Sequence, residues 1–367
     1  MLTYAKRRFI AKSATYLMGH QNRSGKFIYR VRTDGKAVRK DYNVLRHAGA
    51  IYALNQSRSF TEPQIQNSID RALSYLWRWY LIPVEAQKLR FAIASSRPGK
   101  KNSDIVKLGG ISLAQIALAT QQRNRSVFED DVAHGLARFT RSMVGADGSV
   151  TSKLNVRTEE VSDFASLYYP GEAALSLLLY AMEYKDEDSI QCSLSILQHL
   201  CNTRKDLPSV PPDHWALLAT AEVLSLNSTG RIDVEDTALA ALHFHAAQVV
   251  DKILRDADLA DDSAGSLTDN GQTCSSATRL EGLCAIFPHM KKNGYPNLDQ
   301  IQDCIERGIG YLMSAQVESG PLAGGMPWVS PHHTTYATNQ TAPEIRIDSV
   351  QHAISAVLGS LSLDYNK

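Results

Sequence analysis

Carboxylates, histidines and arginines recur in this chain at one kind of place, the start of an Ala/Leu-rich segment. Arg46 and His47 stand in Arg46-His47-Ala48-Gly49, Lys107 precedes Leu108-Gly109-Gly110, and Glu172 closes Tyr168-Tyr169-Pro170-Gly171-Glu172. Asp213, His214 and Trp215 are consecutive, Thr278-Arg279-Leu280-Glu281-Gly282 carries Arg279 and Glu281, and Asp348-Ser349-Val350-Gln351-His352 carries Asp348 and His352. Acids, bases and cations gathered on one rim can move protons on and off a polar, hydroxyl-bearing substrate. Helix N-termini add unpaired N–H groups and partial positive charge to that rim. Asp348, Glu172 and Asp213 are the expected acid/base carboxylates, assisted by His352, His47 and Tyr169. Arg46, Arg279, Glu281, His214, Trp215, Trp328 and Arg346 are expected to hold the substrate.

Each group also has a purely structural use. Asp213, Asp348 and Thr278 can be N-caps, worth about 1 kcal/mol each. Glu172 and Glu281 lie where a carboxylate interacts well with a helix dipole. Tyr168 and Tyr169 can pack ahead of Pro170 and Gly171, which open a helix in the usual way. His47, His214 and His352 could meet at a zinc ion, but their long-range spacing matches no local metal motif. No metal or other cofactor is therefore expected. His332 and His333 read as solvated.

The elements that must position these residues are helices in alternation. Amphipathic helices are predicted at about 3–19, 64–82, 127–144, 185–202, 235–256 and 298–315. In the second, Ile65, Ile69, Ala72, Leu73, Leu76 and Trp77 form one stripe, while Asp70, Arg71 and Arg78 point elsewhere. Helices apolar on nearly all sides are predicted at about 45–55, 108–120, 170–182, 213–226, 275–287 and 347–360, and such helices are buried all round. Six half-wet helices alternating with six buried ones describe an outer ring around an inner ring, one repeated hairpin. Connections from a buried helix to the next amphipathic one are short. The reverse connections are long (20–44, 83–107, 145–168, 257–274 and 316–346), except 203–212 with Pro208, Pro211 and Pro212. Long loops of this kind are usually functional or disordered. Residues Phe27 to Val31 suggest short hairpins within them, and Gly320 to Arg346 reads as a lid or substrate-contacting loop.

Composition narrows the partners. The 367 residues would ordinarily suggest two domains, but the repeat argues for one domain over 1–367. A net charge of +1 gives nucleic acid no electrostatic footing. No apolar run approaches the ~20 residues of a membrane span. The first 18 residues keep a helical period and read as the first helix of the fold, not as a targeting segment. Five cysteines, odd in number and without metal-type spacing, read as reduced thiols, with the cytoplasm as the expected compartment.

Six helical hairpins with apolar inner helices resemble the α/α-toroid superfamily. Its members include six-hairpin glycosidases, polysaccharide lyases, sugar epimerases, terpenoid cyclases and prenyltransferases. The resemblance implies an all-α (α/α)6 toroid with its site at one end of the inner ring, beside the long loops. Within it, the polar rim favours a glycan, with an anionic sugar preferred. Hydrolysis would need two flanking carboxylates from among Glu172, Asp213, Glu281 and Asp348. Epimerisation or elimination would need an acid/base pair such as Tyr168 or Tyr169 with His47 or His352, plus an arginine to stabilise an enolate. Trp215 and Trp328 would grip the apolar face of a sugar ring or else anchor loops. A terpenoid cyclase would need an acidic cluster on an inner helix. Asp130-Asp131 and the cluster Asp256 to Asp262 fall on or after outer helices and read as solvated surface. A lanthionine-cyclase zinc site would need a cysteine–cysteine–histidine rim pattern, which is absent. A non-catalytic helical array binding a peptide or protein is the third reading. The oligomeric state is left open by the sequence.

Overall fold

A computed structural model describes residues 2–36, 42–84, 91–260 and 265–365. Its described residues form twelve α-helices with three short two-stranded ribbons. The amphipathic helices are α1 (Leu2–Gly19), α3 (Ile65–Tyr80), α5 (Val127–Ser142), α7 (Glu187–Arg204), α9 (Asp236–Leu259) and α11 (Leu298–Ala315). Alternating with them are α2 (Val44–Gln56), α4 (Leu108–Ala119), α6 (Tyr169–Tyr184), α8 (His214–Ser228), α10 (Thr273–Lys292) and α12 (Ile347–Tyr365). In α4 every residue from Leu108 to Leu118 is buried, as an apolar helix without a wet face requires. No helix among the described residues is long and apolar enough to cross a membrane.

Two compact units are distinguished, Met1–Ser74 with Val250–Lys367, and Tyr75–Val249. In the first unit α12 packs against α1, α2, α10 and α11, and Ile51, Leu54, Leu280, Leu283, Ile354 and Val357 are buried there. Strand β1 (Arg30–Arg32) pairs antiparallel with β6 (Glu344–Arg346), with Arg30 opposite Arg346, Val31 opposite Ile345 and Arg32 opposite Glu344. The chain passes directly from β6 into α12. In the second unit α6 packs against α4, α5, α7 and α8, around Ile111, Ile116, Leu136, Leu177, Leu178, Ile196 and Leu217. Strands β2 (Leu81–Pro83) and β3 (Phe91–Ile93) form one ribbon, and β4 (Ile105–Lys107) and β5 (Lys153–Asn155) another. Here β4 runs straight into α4.

The long connections are tied down by glycine turns pressed on helix backbone. Gly148 has φ +81°, and a Cβ added there would lie 2.1 Å from the Ser195 carbonyl oxygen of α7. Gly25, with φ +90°, meets the Arg71 carbonyl of α3 in the same way, at 1.9 Å. Only glycine combines the left-handed conformation with that approach.

Three sequence expectations need correction. The segment around Phe27 to Val31 makes one local bridge, Gln21 with Phe27, but its strand partner is β6, more than three hundred residues away. Helix α10 runs five residues beyond the expected stop at 287, through Pro288. A proline inside a helix costs about 3 kcal/mol; burial of Met290 in the following turn helps offset it. Thr278 lies inside α10 and caps nothing, since the helix begins at Thr273.

Candidate active site

In the first unit, the third turn of α10 and the second turn of α12 bring Glu281 and His352 together. His352 Nδ1 lies 2.9 Å from Glu281 Oε2, and both residues are buried, at 5% and 4% exposure. The tautomer with its proton on Nδ1 donates to that carboxylate and leaves the lone pair on Nε2. The Gln351 side-chain nitrogen, 3.3 Å from Nε2, can donate to it. That arrangement depends on Gly49, because a Cβ there would lie 2.4 Å from the Gln351 amide nitrogen. The carboxylate, the imidazole and the amide are thus joined end to end.

One turn earlier on α12, Asp348 is 1% exposed and holds two guanidiniums, Arg46 Nε at 3.2 Å and Arg346 Nε at 3.4 Å. The guanidinium of Arg346 lies over the Trp328 ring, 3.4 Å from its centroid. Trp328 is fixed by its backbone, donating to Glu344 O at 2.6 Å and accepting from Thr273 N at 3.0 Å. Cys274, in the first turn of α10, has Asp348, Glu281, Arg46 and Arg346 as charged neighbours, and burial pushes its thiol up to about 12. Cys274, Gln351 and Gly49 were not singled out as functional by sequence reasoning. Their signal was their place in the first two turns of inner helices.

The second unit places its rim residues differently. Glu172 and Tyr169 are buried at 4% and 8% and press on α4 at Gly109, where a Cβ would lie 2.3 Å from Glu172 Oε2. His214 is 1% exposed, 5.1 Å from the Tyr168 ring and 5.2 Å from Trp215, centroid to centroid.

Several expected site residues have structural positions instead. Asp213, fully buried, caps α8 through Ala216 N at 3.2 Å and pairs with Arg204 at 3.0 Å. Burial pushes its carboxyl up, opposed by the charge of Arg204 and the cap. Arg204 in turn lies 3.4 Å from His245 Nε2. Asp213 therefore has the partners of an architectural cap. His47 donates from Nε2 to Ala72 O at 2.9 Å and packs against Phe27 and Tyr42, with burial holding its pKa down at about 4. A neutral ring used this way positions α2 against α3. Arg279 pairs with Asp256 at 2.8 Å and donates to Leu267 O, joining α10 to α9. Asp256 is thus part of an ion pair and not merely solvated; Asp261 and Asp262 lie outside the described residues. Trp215 is 3% exposed and offers no stacking face. His333, also expected to be solvated, is 4% exposed and packed against Gly271. All five cysteines are free thiols.

No family model and no curated protein sequence matches the chain. Solved structures do match it in fold. Cellobiose 2-epimerase from Spirochaeta thermophila superposes with a TM-score of 0.68 at 13% identity, covering 99% of this chain and 98% of that one. A D-mannose isomerase gives 0.66 at 10% identity, covering 98% and 97%. A family 76 α-mannanase from Bacteroides thetaiotaomicron gives 0.63 at 11% identity, covering 99% and 96%. The chain has the all-α (α/α)6-toroid fold of these enzymes.

Proposed function

We propose that this chain, with residues 1–367 acting as one domain, is a carbohydrate-processing enzyme that moves a proton on and off a sugar carbon beside a carbonyl. Epimerisation and aldose–ketose isomerisation are both of this type. The observation that carries the reading is the buried Glu281–His352 pair, with the arginines of Asp348 one turn away. His352 Nε2 takes the proton from the carbon next to the carbonyl of an open-chain sugar. The C–H electron pair becomes the double bond of an enediolate, and the carbonyl oxygen takes the negative charge, which Arg46 is placed to stabilise. Return of a proton from solvent to the other face of that carbon gives the epimer; return to the former carbonyl carbon, with the 2-hydroxyl proton passing to the former carbonyl oxygen, gives the isomer. Glu281 orients the imidazole and balances the charge it gains. The likeness in fold to a cellobiose 2-epimerase and a mannose isomerase supports this reading.

Glycoside hydrolysis fits the same residues less well. It asks for one protonated and one ionised carboxylate facing the scissile bond. Asp348 is flanked by two guanidiniums, and Glu281 is hydrogen-bonded to His352. The test is incubation of wild type and His352→Asn with aldoses and disaccharides in deuterated water, followed by NMR and mass analysis. Deuterium entering at C2 (epimerisation) or C1 (isomerisation) without chain shortening, and lost in the variant, is the expected result. Shortened or unsaturated products would replace this chemistry with hydrolysis or elimination, and no change with any sugar would overturn the reading.

A further inference from the structure

We infer that the substrate is an anionic sugar whose acid group, a carboxylate or a phosphate, is bound by Arg346 on the β1–β6 ribbon. The inference rests on the sugar-processing reading above and names its substrate class.

Side chains alternate between the two faces of a strand, and directly opposed residues share a face. Val31 and Ile345 therefore share one face, which is buried at 6% and 0% exposure. Arg30, Arg32, Glu344 and Arg346 share the other: three guanidiniums with one carboxylate. Arg30 lies directly opposite Arg346, a like-charge pairing that sheet energetics alone disfavour. The carboxylates nearby are already shared. Arg32 takes Asp34 at 2.6 Å, and Glu344 stands 3.5 Å from Arg30 and 3.9 Å from Arg32. Asp348 divides between Arg346 and Arg46.

Arg346 is the residue prepared for an incoming anion. It approaches Asp348 most closely through Nε, so the two terminal nitrogens of its fork are not what holds that carboxylate. Trp328 occupies the flat face of the guanidinium and fixes its plane, which leaves the in-plane N–H donors for a ligand. Its side chain is only 17% exposed, so a charge-assisted bidentate contact is less weakened by solvent than one on an open surface. Position adds the chemistry. Arg346 immediately precedes α12, and His352 follows six residues later, roughly 9 Å along a helix axis. An open-chain hexose with its acid group at the far end from its carbonyl could reach from one to the other. A uronate and a hexose 6-phosphate both have this form.

Calorimetric titration of wild type and Arg346→Gln with mannose, mannuronate and mannose 6-phosphate, at low and high salt, tests the inference. Inorganic phosphate and acetate are the sugar-free probes. The wild type is expected to bind one anionic sugar at least about 10-fold tighter than mannose, a preference that shrinks with salt. Arg346→Gln is expected to remove that preference, lowering affinity for the anionic sugar by a larger factor than affinity for mannose. Arg346→Lys should not restore it, because a point charge lacks the fork, and Arg30→Gln should weaken it by a smaller factor. Thermal melting checks that each variant is folded. Which anionic sugar wins distinguishes carboxylate from phosphate. Mannose binding as tightly as both acids, or an unchanged preference in folded Arg346→Gln, would overturn the inference and leave the sugar reading standing. Inorganic phosphate or acetate binding as tightly as the corresponding sugar would also overturn it. Failure of every sugar to bind would overturn both readings.

Discussion

Replacing Glu281 by glutamine tests the central pair with almost no change of shape. The two side chains are buried and 2.9 Å apart. A hydrogen bond to a charged group is worth about 1.5–3 kcal/mol. At 1.36 kcal/mol per factor of ten, its loss in the transition state slows turnover by roughly 10- to 150-fold. Burial of both partners favours the upper part of that range, because solvent cannot replace the lost charge. The amide also brings a donor that can face Nδ1, which moves the ring proton to Nε2 and removes the base. The assay is the initial rate of deuterium entry at the reacting sugar carbon, with nitrogen NMR of the His352 ring as a readout independent of substrate. Expected outcomes are a reduced kcat with little change in KM, a shift toward the Nε2-protonated tautomer, and a melting temperature within a few degrees of wild type. Glu281→Gln turning over within twofold of wild type with the ring tautomer unchanged would refute the assignment of Glu281 as the positioning group. A rate loss fully accounted for by partial unfolding would do the same.

Two further predictions concern the scaffold. Gly148→Ala combines a left-handed conformation, costing about 1–2 kcal/mol, with an overlap at Ser195 O that adds about 1–3 kcal/mol. Urea unfolding should show a loss of roughly 2–5 kcal/mol. Gly35→Ala, at φ +74° with nothing within 4 Å, should show the conformational part alone, and equal losses would disprove the close-approach account. The second concerns pH. Burial lowers the pKa of both His47 and His245 from 6.5 to about 4. The unfolded chain therefore binds more protons than the folded one between these values. Their contribution to stability is complete above about pH 6.5 and lost as pH falls toward 4, by roughly 2–3 kcal/mol each at pH 4.5. His47→Gln should flatten the fall of the urea midpoint between pH 7 and 4.5, and an unchanged slope would refute a neutral buried His47.

The helices were legible because periodicity reports burial. The apolar run Ala174 to Ala181 could only be an enclosed helix, and it lies within α6. The stripe from Ile65 to Trp77 placed α3 within a residue or two at each end. Site residues were only partly legible, since being near a helix start does not say which way a side chain points. Asp213 and Asp348 looked alike as sequence. Arg204 and the Ala216 amide turn one into an internal cap, while Arg46 and Arg346 place the other beside His352. His47 and His352 also looked alike, yet one ring meets the Ala72 carbonyl and the other a carboxylate.

The sequence by itself determined the alternation of half-wet and buried helices, the long connections between them, and the gathering of acids, bases and cations where buried helices begin. These follow from local spacing, because a helix repeats every 3.6 residues whatever surrounds it. Tertiary structure alone decided which of those residues meet. The pairing of β1 with β6, the meeting of Glu281 with His352, and the pairing of Arg46 with Asp348 join residues between 71 and more than three hundred positions apart. Contacts of that range leave no period in the chain, and only packed helices, brought close where glycine gives room, bring them within hydrogen-bonding distance.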